Sequence, residues 1–186
     1  MRRTPSRTQL VVDLVVATLG LSLACTADFV LGSDGRFRHA KHGYSIADPA
    51  LQTAGWKALD LPTAELAYSD GYGGSMTMLR ECRGSAQPQL LARQLRIGLE
   101  RLDEPVIESH PVGLGGDPGW SQTFLVVEGA EEVLVRSVTL SAGLCTYDWV
   151  LVGAEDSARQ NAFDLWWSSF ERTGSPGNPP SRGVAE

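Results

Sequence analysis

Lysine is almost missing from this chain: Lys41 and Lys57 are the only two in 186 residues, so nearly all basic side chains are arginine. Acidic residues outnumber basic ones, 22 to 16, for a net charge of −6. Binding to a phosphate backbone rests on counterion release by Lys and Arg, so nucleic acid is not an expected partner. No apolar run reaches the roughly 20 residues that a membrane-spanning helix needs. The glycine loops Gly71-Tyr72-Gly73-Gly74 and Gly113-Leu114-Gly115-Gly116 match neither GxGxxG nor the P-loop pattern, so no phosphate cradle is expected. GxSxG is missing too, and no strand-to-helix elbow follows Ser75. His39 and His42 read as two exposed histidines of one turn, and His110 is remote, so no metal site is implied. Asp148 on a strand and Glu131-Glu132 in a turn read as solvated charges. The inventory predicts no catalytic residue, no metal and no cofactor.

What is present begins at the N-terminus. Arg2, Arg3 and Arg7 form a positive start, and Leu14–Ala24 follows as eleven residues without charge, 14 to 24. That length suits the core of a secretory signal peptide. Extending it back to Leu10 brings in Asp13, at a cost of up to ~3 kcal/mol in mid-bilayer. The run closes on Leu21-Ser22-Leu23-Ala24-Cys25, which resembles the lipobox of bacterial lipoproteins, with Ser22 departing from the preferred Leu. The resemblance implies cleavage after residue 24 and acyl chains on Cys25, hence a membrane partner held through lipid. Ordinary secretion with cleavage after Ala27, and an uncleaved anchor, are the alternatives. Removal of residues 1–24, which carry three arginines and one aspartate (+2), changes −6 to −8. Residues 25–36, with Gly32 and Gly35, read as a tether.

With Cys25 assigned to lipid, Cys82 and Cys145 remain, in a compartment where disulfides persist. A bridge between them is expected; two buried thiols acting as small hydrophobes are the alternative.

The rest of the chain reads as an α+β domain over residues 37–172, followed by a disordered tail, 173–186, with Pro176, Pro179 and Pro180. Phe37–Ile46 suggests strand, turn and strand. Ser69–Ser75 is a turn, and Ser75–Cys82 alternates with Met76 and Met78 on one face. Ser85–Leu102 reads as a helix capped by Ser85, with Leu91, Leu95, Leu99 and Leu102 in a stripe. Val106–His110 suggests a short strand before a long glycine-rich turn, Gly113–Gly119. Gln122–Glu128, Val133–Leu140 and Leu144–Val152 form a meander. A last helix, about Asp156 to Glu171, presents Phe163, Trp166, Trp167 and Phe170 for burial against the sheet. Trp56, Tyr72 and Trp120 fall in loop-like segments, where they serve either as edge packing or as a binding patch.

This order, with His42-Gly43-Tyr44-Ser45-Ile46, Pro49, Gly55-Trp56, Tyr147–Val152 and Trp167-Ser168-Ser169-Phe170, resembles the PsbP-like family. The resemblance implies an antiparallel sheet flanked by helices, an α/β/α sandwich. With the lipobox resemblance and the lack of a catalytic set, the expected function is that of a non-enzymatic accessory lipoprotein of the cell envelope, facing periplasm or exterior, with another envelope protein as partner. The alternative function is carriage or sensing of a hydrophobic ligand, a lipid or glycolipid.

Overall fold

Strand periodicity with one or both faces apolar dominates the sequence, and the computed structural model turns it into two antiparallel sheets. Residues 29–82, 84, 86–99, 106–128 and 131–172 are described; Cys25, Ser85 and the 173–186 tail lie outside them. The larger sheet has seven strands: β4 (Lys57–Leu59), β5 (Leu66–Ser69), β6 (Ser75–Glu81), β7 (Val106–Leu114), β8 (Asp117–Glu128), β9 (Glu131–Ala142) and β10 (Cys145–Gly153). Their order is β4-β5-β6-β10-β9-β8-β7, so β10 inserts between two strands formed earlier in the chain. The smaller sheet, in the order β1-β2-β3-β11, joins β1 (Phe29–Leu31), β2 (Arg36–His39), β3 (Tyr44–Ala47) and β11 (Glu171–Arg172). Strand β1 occupies residues 29–31, inside the stretch read as tether.

Three helices complete the layers: α1 (Pro49–Gln52), α2 (Pro88–Leu99) and α3 (Ser157–Ser168). Pro88 occupies the first turn of α2, where its missing N–H costs nothing, and Leu91 N donates to the Gln87 carbonyl. The helix thus starts at Gln87-Pro88 instead of at Ser85. It lies on one face of the large sheet, where Leu95 packs against Phe124, Val135 and Val150. Gln122 Nε2 donates to the Ala92 carbonyl at 2.6 Å on the same side. The opposite face carries Met76, Met78, Val138, Leu140, Tyr147, Trp149 and Leu151, covered by α3 and the small sheet through Phe163, Trp166, Phe170, Tyr44 and Ile46. Asp156 caps α3 by accepting from Arg159 N at 2.8 Å. No helix of the described residues is long and apolar enough to cross a membrane.

The glycine-rich segment differs from its sequence reading. Residues 113–119 form the ends of two long strands, not an extended turn, and the reversal needs just Gly115 (φ 60°) and Gly116 (φ 88°). Paired positive φ values give the tight turn whose twist matches a hairpin. Gly119 is required for another reason: a Cβ there would meet Leu140 Cδ2 at 2.5 Å and the Thr139 carbonyl at 2.8 Å. Gly119→Ala is expected to destabilise the protein by ~1–3 kcal/mol, the range for overpacking, read as a lower urea midpoint at unchanged slope.

Cys82 and Cys145 are bonded, with S–S 2.00 Å. The register that pairs Thr146 with Glu81 puts the two cysteines opposite each other one step further along β6 and β10. The bond closes a separation of 63 residues. Replacing both cysteines with alanine is expected to lower stability by ~4 kcal/mol in the chain-entropy model, measured by denaturant unfolding.

Candidate functional site

His39 is not an exposed turn histidine. Alternation along β2 and β3 sends Phe37, His39, Tyr44 and Ile46 to the same face, and His39 is 1% exposed. Its ring lies 4.8 Å from Phe29, 4.4 Å from His42 and 5.2 Å from Tyr44, between ring centres. Beside it Glu65, just before β5, gathers donors from both sheets. Tyr44 Oη donates to Oε2 at 3.1 Å, and Arg80 donates to Oε1 through Nε at 3.1 Å and Nη2 at 2.7 Å. His39 Nε2 stands 3.7 Å from Oε2. Burial, followed by the Glu65 carboxylate, pushes the Tyr44 phenol far above its ordinary range. Burial and the nearby Arg80 charge hold His42 below the usual histidine value.

Chemically this cluster is a clamp. Glu65 accepts from Tyr44 on β3 and from Arg80 on β6, so its hydrogen bonds run between the two sheets. Its effect is to fasten the small sheet to the large one beside the disulfide, where Arg80 Nη1 also reaches Cys82 Sγ at 3.3 Å. A cleft of about 380 Å³ opens next to it, lined by Pro62, Glu65, Leu79, Arg80, Glu81 and Asp148 among others. Asp148 is half-buried there and not a solvated charge, with Thr139 Oγ1 donating to it at 2.5 Å. Among the described residues no group of three or more His, Cys, Asp or Glu is placed to hold a metal ion.

The three aromatics read as a patch are not brought together. Trp56 is 6% exposed and belongs to the main core. Trp120 lies inside β8, on the α2 face, where its Nε1 donates to Ser109 Oγ at 2.7 Å. Tyr72, at the tip of the β5–β6 turn, is 87% exposed. Strands β6 and β8 are three spacings apart, about 14 Å, which separates Tyr72 from Trp120.

The Tyr72 turn is held firmly. Asp70 Oδ1 accepts from Tyr72 N at 2.7 Å and Gly74 N at 2.8 Å, while Arg159 of α3 meets Asp70 Oδ2 at 2.5 Å. Arg159 also donates to the Tyr72 carbonyl at 3.1 Å and the Ala154 carbonyl at 2.9 Å. Burial works against ionisation of Asp70, but Arg159 and the two backbone donors outweigh it and bring the carboxyl below its usual value. The sequence signalled the turn through Asp70-Gly71 but gave no sign of Arg159, which lies 89 residues away.

No family model matches the sequence, and no curated protein was found to match it. Solved structures do. Cyanobacterial PsbP (CyanoP) from Synechocystis superposes with TM-score 0.57 at 14% identity, over 83% of this chain and 98% of that one. The fold is PsbP-like. LpqN, described as involved in cell envelope biogenesis of Mycobacterium tuberculosis, gives TM-score 0.51 at 12% identity over 70% and 83% of the two chains. A Bacteroides thetaiotaomicron protein gives 0.50 at 9% identity, over 74% of this chain and 48% of its own. The PsbP-like fold accounts for the closing Ser169-Phe170: Ser169 Oγ accepts from Ala47 N at 3.0 Å, and Phe170 enters the core.

Burial, with Thr139 opposing and Glu81 adding to it, raises the Asp148 carboxyl above the usual aspartate range. A raised folded value means that the folded state binds the proton more tightly. Its stabilising effect is present below the unfolded value and lost as pH rises through the folded one. Asp148→Asn is therefore expected to stabilise at pH 7, with the gain shrinking on acidification into the carboxylate range, as followed by thermal unfolding across pH.

Proposed function

We propose that this chain is a non-enzymatic accessory lipoprotein of the bacterial cell envelope, anchored by acyl chains on Cys25 and engaging another envelope protein at its outward surface. The observation that carries the proposal is Tyr72. A large aromatic side chain held in water on a turn locked by Asp70 and Arg159 is prepaid for binding, since little ordering remains to be done on contact. Interface anchors are rich in tyrosine for this reason. The envelope setting is supported by the N-terminal lipobox resemblance and by a PsbP-like neighbour, LpqN, described as acting in envelope biogenesis.

Enzymatic activity draws no support from the buried polar groups, because Glu65, Asp70 and Arg159 are engaged in holding the fold. Carriage of a lipid fits less well than protein contact. A carrier needs a largely apolar cavity. The cleft of about 580 Å³ beside α3 instead has Glu108, Glu132, Arg136 and Glu155 in its lining.

The test is affinity purification of the membrane-anchored protein, with mass spectrometry of co-eluting proteins and extracted lipids. A reproducible protein partner is expected. Tyr72→Ala should lower its recovery by roughly tenfold or more, the scale of an interface hot spot, without shifting the unfolding midpoint. Enriched lipid with no partner would turn the reading toward carriage.

A further inference from the structure

The small sheet ends on β1, an edge strand whose outer side chains remain in water. Val30 is 63% exposed and Leu31 48%, and Leu51 of α1 is 65% exposed. Leu51 stands over the β1–β2 turn, its Cδ1 3.3 Å from the position a Cβ would take on Gly35. Single exposed apolar residues are ordinary, but Leu31 and Leu51 flank the β1–β2 turn, and Val30 stands next to Leu31 on the other face of the edge strand.

Two observations say what covers them. The first is chain length: Phe29 follows Cys25 by four residues, so the two Cα atoms are at most about 14 Å apart. If Cys25 carries acyl chains, which is the reading proposed above, β1 is confined to the membrane surface. The second is charge. Residues 106–132 hold five acidic residues and no Lys or Arg, a balance of −5, whereas Arg36 and Arg38 beside β1 are ion-paired with Glu171 and Asp34, which leaves that side close to neutral. An anionic bilayer repels the acidic region and not the β1 side. Topology keeps them apart: Asp117, in the acidic region, pairs with Arg172 of β11 at 3.1 Å, and β11 is the edge of the small sheet opposite β1.

We propose that the β1 edge, with Val30, Leu31 and Leu51, is a membrane-contact surface lying on the headgroups of the bilayer that holds the Cys25 lipid. The β7–β9 hairpins, on the Asp117 and β11 side, then face away from it.

The experiment places the acylated full chain in nanodiscs of phosphatidylethanolamine and phosphatidylglycerol and records amide spectra with and without a nitroxide-tagged headgroup. Loss of signal is expected at Val30, Leu31 and Leu51, with signals along β8 retained. Val30→Asp with Leu51→Asp, at two exposed positions that folding does not need, should keep the protein on the disc and abolish that pattern. If the chain does not co-elute with the discs, the acylation reading falls and this inference with it. If it co-elutes but another face is quenched, the inference alone is overturned. The same holds if the pattern survives the double substitution, or if the β1 signals change only when a disc carries a second copy.

Discussion

Phe170 is the point at which the layers of this protein meet. Its ring lies 5.4 Å from Tyr44 of the small sheet and 4.7 Å and 5.2 Å from Tyr147 and Trp149 of the large one. It follows α3 directly, so the helix that covers the sheet is tied at its end to both sheets at once. Offset and edge-on aromatic contacts add to the gain from area alone. The polar groups nearby reinforce the same junction: Arg36 Nη2 donates to the Ser169 carbonyl at 2.6 Å, and Ser169 Oγ accepts from Ala47 N. Everything else on that face, including the Glu65 clamp, depends on the small sheet being pressed home there.

Legibility from sequence followed the range of the interaction. The helix carrying Phe163 and Trp166 was visible because its apolar residues recur at helical spacing, although it ends at Ser168 and leaves Phe170 beyond it, and β6 because Met76 and Met78 alternate with polar neighbours. The disulfide was suggested by cysteine arithmetic, which needs no geometry. Pairings that join distant segments left no local trace. Nothing near Glu65 announces that Arg80 and Tyr44 will surround it, and Glu171-Arg172 becomes a strand only because β3 offers it an edge. The segment from Gly113 to Gly119 was misread because glycine signals both turns and close backbone approach. Gly115 and Gly116 do the first, while Gly119 does the second.

His39 shows how a pattern can be read correctly and its residue misplaced. The strand–turn–strand was foreseen, yet its polar character suggested solvent. Burial came instead from Phe29, in a stretch read as tether, which adds β1 and closes the small sheet over the ring. Trp56 was lost to packing in the same way, Trp120 is half-buried, and of the three Tyr72 stands furthest into water.

The strand order carries one more consequence. Strand β10 fills the gap between β6 and β9, and its first residue is bonded to Cys82 across 63 positions of chain. A polypeptide that emerges through a pore leading end first exposes β5 and β6 long before their central neighbour arrives. Until then Met76 and Met78 have no cover and β6 has a bare side. Such an architecture suits a route in which the chain travels as an open thread and knits shut only after its last third has been delivered.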